Sequence, residues 1–283
     1  VQDLFEPEKV CNGAIFRGRM QESGSAQPEP KQSWEVKRCS SQEKSIMHDW
    51  TRALHTVAVT VTRALELPHN LLLQEQDCKR CDQRCNIDLL RVFYYDAVDQ
   101  ENESLGSSPH TDWGSWTIVW QDDVGGLQTY CHVHNVWVTV PAPPLEESKV
   151  YFVVHVGDVT SLAMGHAALR RNDNVAITMK ESKVVWPSPK HRVVSPIGSS
   201  PRASLVYFAY PPPGISLKDM EKALYDYSRA STTPVSIPYD DYFVLQNQST
   251  AADSSRSSKE TYSIIRSLPL DTVFDEKWMQ VQR

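Results

Sequence analysis

Apolar residues recur at Ile46, Trp50, Leu54, Val57, Val61 and Leu65, spacings of three and four that turn one face of a helix toward a sheet. The pattern predicts a helix from Ser45 to Leu67, and Pro68 supplies its stop. Beyond Asn86 the period changes. Short β-rich runs follow one another, LLRVFYY, SWTIVW, GLQTYCHV, VWVTVPA, VYFVVHVGD, VAITM, KVVWP, HRVVSP and RASLVYFAY, separated by Gly, Pro, Asp and Ser turns. Many short strands punctuated in this way predict an antiparallel sandwich or barrel. Helical spacing returns at Leu217, Met220 and Leu224. Two segments are expected to be loops: GRMQESGSAQPEPK, from Gly18 to Lys31, and STAADSSRSSK, from Ser249 to Lys259, both too polar and too rich in small residues to build a core.

These patterns divide the 283 residues into a helical and loop region over 1–85, a β core over 86–213, and a helical and flexible tail over 214–283. All-β bodies of about 250 residues commonly form one domain, so a single domain with helical flanks is expected. The formal net charge is −6, which argues against a nucleic-acid backbone or an anionic membrane as partner and leaves a small molecule as the expected one. No apolar run reaches the roughly 18–20 residues of a spanning helix. The stretch from Leu54 to Leu73 is broken by Arg63, Glu66 and Pro68, and the opening VQDLFEPEKV has neither a basic nor an apolar leader segment. A soluble, cytoplasmic protein is expected; nothing in the sequence sets its oligomeric state.

Six cysteines stand at 11, 39, 78, 81, 85 and 131, three of them in CKRCDQRC. Reduced thiols are expected in such a chain. Zinc wants four ligands, and no fourth sits at a suitable spacing from Cys78, Cys81 and Cys85, so that cluster reads as a solvated loop.

Two His and one carboxylate bind iron(II) while leaving coordination positions open. The sequence must then supply H-x-D/E and a distant His. Nine His and 35 acidic residues predict about one accidental match by composition. HTD at 110–112 is the match that occurs, so its context has to carry the argument. HTD opens HTDWGSWTIVWQDDVGGLQTY, in which a turn feeds a strand, an acidic turn, a Gly-Gly corner and a further strand. This block resembles the 2-oxoglutarate and iron(II) dioxygenases of the isopenicillin N synthase-like group, in register throughout. VYFVVHVGD resembles the family's strand ending in G-D, and HRVVSPIGSSPRASLVYFAYPPP its distal His strand followed by R-x-S. QSWEV and the helix from Ser45 extend the likeness over most of residues 3–213.

The resemblance implies a mainly β fold with flanking helices, a double-stranded β-helix of the jelly-roll, cupin-like kind. It implies Fe(II) held by His110, Asp112 and His191, with 2-oxoglutarate and O2 as co-substrates. His166 competes with His191 for the distal position. Asp112 to His191 is a longer step than the family's usual one, which His166 fits better, yet only His191 leads an HRVV strand with Arg202-x-Ser204 eleven residues on. His191 is therefore preferred, and the extra length is assigned to an insertion within 166–190, where NDNVAITMKESKVVWPSP reads as an added β-hairpin or lid. Arg202 and Ser204, two apart and so on one face of a strand, are expected at the far carboxylate of 2-oxoglutarate, for which a guanidinium fork is suited. Tyr95 occupies the family's tyrosine place beside the co-substrate, while Phe93 stands where the family has Asn. His132, His134 and His155 are read as surface or hydrogen-bonded core residues rather than ligands.

The implied activity is oxidation of a small organic molecule, by hydroxylation, desaturation or oxidative rearrangement, in specialised biosynthesis. Two alternatives stay open: a same-fold Fe(II) oxidase that does not consume 2-oxoglutarate, and a catalytically inactive jelly-roll binding protein. Trp113, Trp116, Trp120 and Trp186 fit an aromatic-lined mouth, and equally a sandwich core.

Overall fold

The structure is a computed structural model that describes residues 14–19, 29, 31–37, 46–73, 89–98, 104–144, 149–170, 187–198, 200–212 and 214–230. In chain order the elements are β1 (Ala14–Arg19), β2 (Lys31–Lys37), α1 (Ile46–Ala64), α2 (His69–Leu72), β3 (Leu89–Tyr95), β4 (Leu105–His110), β5 (Trp116–Gln121), β6 (Leu127–Cys131), β7 (Val136–Thr139), β8 (Val153–Val156), α3 (Asp158–Arg170), β9 (His191–Val194), β10 (Arg202–Ala209) and α4 (Leu217–Ala230). Among the described residues the strands form a six-stranded sheet, β1-β2-β3-β10-β5-β8, and a four-stranded sheet, β4-β9-β6-β7, antiparallel throughout. From β3 to β10 the chain passes between two facing four-stranded layers, β3, β5, β8 and β10 in one and β4, β6, β7 and β9 in the other, which is a double-stranded β-helix.

The major sheet is buried on both faces, as the near-continuous burial of β10 shows. On its outer face Leu90, Ile118 and Tyr207 pack under Leu54 and Ala58 of α1 and Met220 of α4. On its inner face Phe93, Val119 and Val206 meet Leu127 and Val193 of the minor sheet. Helix α1 carries TVAVTVT, a β-branched run of modest helix propensity. Burial of Leu54 and Ala58 supplies the tertiary driving force that holds it helical, while Thr56, Thr60 and Thr62 satisfy their hydroxyls on the carbonyls four residues back, at 3.0, 2.8 and 2.7 Å. At its end Glu66 adopts a left-handed φ of 52°, turning the chain ahead of Pro68.

Several elements differ from the sequence expectation. Residues 31–37, in the region expected to be helix and loop, form β2 beside β3, and Gly18 lies in β1 rather than in a loop. The KQSWEVK pattern of β2 hides its strand character because its inward residues, Lys31, Ser33 and Glu35, are polar or charged. Glu35 stands opposite Arg91 in the register and accepts a hydrogen bond from it at 3.1 Å, so a polar pair takes the place of an apolar one. Strand β4 has the loop-like sequence LGSSPH and pairs with β9 through two register irregularities. Helix α3 follows the G-D turn and contains His166. The runs VAITM and KVVW, the CKRCDQRC cluster and the 249–259 segment lie outside the described residues. No helix among those described is long and apolar enough to cross a membrane.

One close approach governs the corner where β8 meets α3. A Cβ added to Gly157 would sit 2.0 Å from the carbonyl oxygen of Gly114, a backbone atom that cannot swing aside. We expect Gly157→Ala to lower stability by about 1–3 kcal/mol, the usual cost of overpacking, read as a shift in the denaturant midpoint. An unchanged midpoint would show that the two backbones are not held together.

Candidate metal centre

Strand β4 ends on His110 and strand β9 begins on His191, and the β4–β9 register sets the two directly opposite each other. Their rings lie 4.3 Å apart between centroids. Asp112 reaches the same point from the loop that follows β4. That loop is anchored by backbone amides from the G-D corner: Gly157 N donates to Ser115 O at 3.0 Å, Asp158 N to Asp112 O at 2.7 Å and Val159 N to Trp113 O at 3.3 Å. The Thr111 hydroxyl adds a 3.1 Å hydrogen bond to Asp158 Oδ2. The G-D dipeptide thus clamps the loop that carries the carboxylate.

Strand β4 has little apolar surface of its own, and a buried polar clip ties it to β2. Lys31 Nζ, fully buried, pairs with Glu29 Oε2 at 2.8 Å and donates to Ser107 Oγ at 3.1 Å, while Glu29 Oε1 accepts the Ser108 amide at 2.6 Å. The strand that ends on His110 is therefore positioned by charge-assisted hydrogen bonds.

The donor atoms of His110, Asp112 and His191 all lie within 4.8 Å of one another. His110 Nε2 stands 3.6 Å from Asp112 Oδ1, and His191 Nε2 3.7 Å from Oδ2. Each imidazole faces a backbone carbonyl through its other nitrogen, His110 Nδ1 to Ser108 O at 2.7 Å and His191 Nδ1 to Pro189 O at 3.0 Å. A carbonyl only accepts, so Nδ1 carries the proton and the Nε2 lone pair points at the carboxylate, the orientation that a carbonyl behind the ring imposes on metal-binding imidazoles. Burial pushes the His191 imidazole down to about 4, keeping it neutral. Burial alone would raise the Asp112 carboxyl, but the neighbouring His191, His155 and His110 and a 2.7 Å hydrogen bond from Thr117 Oγ1 hold it below the ordinary value. Two imidazoles presenting Nε2 and one carboxylate are a donor set that fits a divalent metal such as Fe(II).

Arg202 begins β10 and is 1% exposed. Its guanidinium lies 4.7 Å from the ring of Tyr95, its register partner on β3, and donates to Ser204 Oγ at 3.2 Å, to Gln121 Oε1 at 3.3 Å and to Gly125 O. Arg202, Ser204 and Tyr95 are thus brought together, with Phe93 tilted against Tyr95 at 6.1 Å. No carboxylate among the described residues lies within ion-pair distance of Arg202, although it is a buried cation.

The structure separates the other residues singled out in the sequence. Trp116 is 3% exposed in the core under the helices, and Trp113 packs against that same core, so neither has the place of a free mouth residue. Trp120 is half-buried, and Trp186 lies outside the described residues. His132 and His134 are exposed on the β6–β7 hairpin, where His134 Nδ1 sits 3.2 Å from Cys131 Sγ. His155, read from the sequence as a surface or hydrogen-bonded core residue, is part-buried, with Nδ1 3.2 Å from Val156 O and Nε2 3.5 Å from Asp112 Oδ2. Its place in VVHVGD, with inward and outward residues alternating toward the G-D corner, is the signal that points to the interior.

Residues 86–211 match the 2OG-Fe(II) oxygenase superfamily. Gibberellin 20 oxidase 3 of Arabidopsis thaliana is 41% identical over 70 residues, 25% of this chain and 17% of that protein. A 2-oxoglutarate-dependent dioxygenase of Didymella fabae is 32% identical over 123 residues, 42% of this chain and 30% of that one. The chain thus matches less than a third of the length of these curated relatives. Among solved structures, JOX2 in complex with 2OG, Fe and JA superposes with a TM-score of 0.52 at 19% identity, over 81% of this chain and 64% of that one. A full-length Neurospora crassa protein in complex with alpha-KG and 5-formyluracil reaches 0.50 at 20% identity, over 79% of this chain and 70% of that one. These likenesses show the fold.

We expect His110→Ala, Asp112→Ala and His191→Ala each to lose Fe(II) binding while remaining folded, since each leaves two protein donors. His166→Ala should keep it. Calorimetric titration with Fe(II) under anaerobic conditions checks this, and the reverse behaviour of His191 and His166 would move the third ligand onto α3.

Proposed function

We propose, from the match of residues 86–211 to the 2OG-Fe(II) oxygenase superfamily, that this chain is a non-haem Fe(II), 2-oxoglutarate-dependent oxygenase acting on a small organic molecule. The observation that carries the reading is the convergence of His110, Asp112 and His191 on one point between the sheets. Fe(II) bound there supplies the activation of dioxygen that side chains lack, so that 2-oxoglutarate and O2 become succinate and carbon dioxide while the substrate is oxidised. The chain's own part is orientation and charge. His110 and His191 present their Nε2 atoms, each ring fixed by a backbone carbonyl behind it, and Asp112 supplies one negative charge.

Arg202 is assigned the distal carboxylate of 2-oxoglutarate. A buried guanidinium with no described carboxylate in ion-pair contact is costly unless a ligand brings the counter-charge, since Asp122 feels its charge only from beyond that distance, and Ser204 and Tyr95 flank it with a hydroxyl and a ring face. Phe93 offers no hydrogen bond where the resemblance leads one to expect Asn, so the co-substrate is held by fewer polar groups on β3. The relatives' names, gibberellin 20 oxidase 3 and 2-oxoglutarate-dependent dioxygenase, support a small substrate in specialised biosynthesis, with hydroxylation, desaturation or oxidative rearrangement as the outcome.

Succinate release is the direct test. Arg202→Ala should raise the 2-oxoglutarate concentration needed for half-maximal succinate formation by about one and a half to three and a half decades, the equivalent of roughly 2–5 kcal/mol for truncating one partner of a buried charge pair. Arg202→Lys should recover part of this, because a point charge replaces a fork. If wild type turns over an organic substrate without making succinate, Arg202 binds a substrate carboxylate and the protein is an oxidase that does not use 2-oxoglutarate.

A further inference from the structure

We propose that the substrate lies on a mainly aliphatic wall of the minor sheet, Val136 and Val138 of β7 with Thr129 and Cys131 of β6, and that the part it places there is a neutral, apolar carbon skeleton. The inference deepens the oxygenase reading and rests on it. It is carried by strand register. His110 of β4 pairs with His191 of β9, His191 with Thr129 of β6, and Thr129 with Val138 of β7. Cross-strand partners share a face of the sheet, so the two imidazoles of the metal centre, Thr129 and Val138 form one row across all four strands. One row nearer the hairpin turn, Cys131 pairs with Val136.

Alternation along β7 fixes which face this is. Val136, Val138 and Val140 stand two apart, and Val140 packs against the inner core of Leu127 and Val193. Side chains of the opposite parity, Tyr130, Trp137 and Arg192, stack together on the outer face, with the Arg192 guanidinium 4.4 Å from the Trp137 ring. Val136 and Val138 therefore point inward, yet they are 48% and 46% exposed, whereas Leu127 and Val193, one row deeper than Thr129 and His191, are buried. Aliphatic side chains that face the inside of a sandwich and still meet water line an opening, and an apolar ligand surface covers them by displacing that water. None of the four wall residues carries a carboxylate, an ammonium or a guanidinium. A charged substrate group placed there would lose hydration without a counter-charge. Two strand spacings, about 10 Å, separate His191 from Val138, which sets the length a molecule needs to lie on the wall and reach the metal.

The test follows the proton line widths of three probes, 2-naphthylmethanol, 2-naphthoate and 2-naphthylmethylammonium, added to the protein loaded with Mn(II) and 2-oxoglutarate. Mn(II) suits the same donor set and broadens the resonances of protons held close to it. The neutral alcohol is expected to broaden and to bind about tenfold or more tightly than either ion. Val138→Asp and Val136→Asp should each weaken its binding by about tenfold or more at unchanged Mn(II) affinity. Val133→Asp, at the hairpin tip, 80% exposed and outside both rows, should leave it unchanged. Equal binding of the ions, no broadening of the alcohol, or an equal loss in Val133→Asp overturns the wall. The first two outcomes are read on wild type alone, so variants that fail to fold leave the test intact. If Mn(II) binds wild type but not His110→Ala, and the alcohol is not broadened, the metal centre stands and the wall falls. If wild type takes up no Mn(II), both fall.

Discussion

A carboxylate buried among three imidazoles is the constraint on which the site depends. Asp112 is 7% exposed, and a lone ionised group at that depth would cost several kcal/mol or take up a proton. Thr117 donates to Oδ2, and a divalent cation held between the carboxylate and the Nε2 atoms of His110 and His191 would complete its charge. That arrangement requires the ends of β4, β8 and β9 and the loop after β4 to meet at one point. The jelly roll satisfies this by bringing strands distant in sequence from opposite layers, with His110 and His191 paired in register and His155 reaching across from the major sheet.

The loop that carries Asp112 is held almost wholly by backbone. Amides of Gly157, Asp158 and Val159 reach the carbonyls of Ser115, Asp112 and Trp113, at a spacing that only a residue without Cβ permits at position 157. The same corner that ends β8 therefore positions both the carboxylate and His155, two residues before the glycine. Rigidity of this kind matters to a metal site, whose donors must converge to within fractions of an ångström.

Between the sheets the polar residues are organised in two ways. Lys31 with Glu29, and Arg91 with Glu35, are closed pairs that complete their charges within the protein and join β2 to its neighbours. Arg202 is open: it meets hydroxyl, amide, carbonyl and ring, but among the described residues no carboxylate at ion-pair distance, Asp122 feeling its charge from further off. Closed pairs fix strands in place, whereas an open buried cation presents a charge for a ligand to complete.

What the sequence determined by itself follows from local periodicity and local spelling. The amphipathic face of α1, the short β-rich runs of the core and the block from His110 to Tyr130 are each written in contiguous residues, and they led to a jelly roll and to His110 and Asp112. Non-local pairing was not legible. Spacing along the chain left His166 and His191 in competition, and only the pairing of β4 with β9 sets His191 opposite His110, while His166 lies in α3. Strand β2 looked too polar and β4 too much like a loop, because their inward residues are satisfied by ion pairs and hydrogen bonds with partners dozens of residues away. The approach of His155 to Asp112 was not legible for the same reason: whether a histidine on a β-strand is an ordinary core residue or faces a carboxylate depends on which strand lies beside it. The register of one strand against another is set by the packing of the whole sandwich, and no local pattern in the chain encodes it.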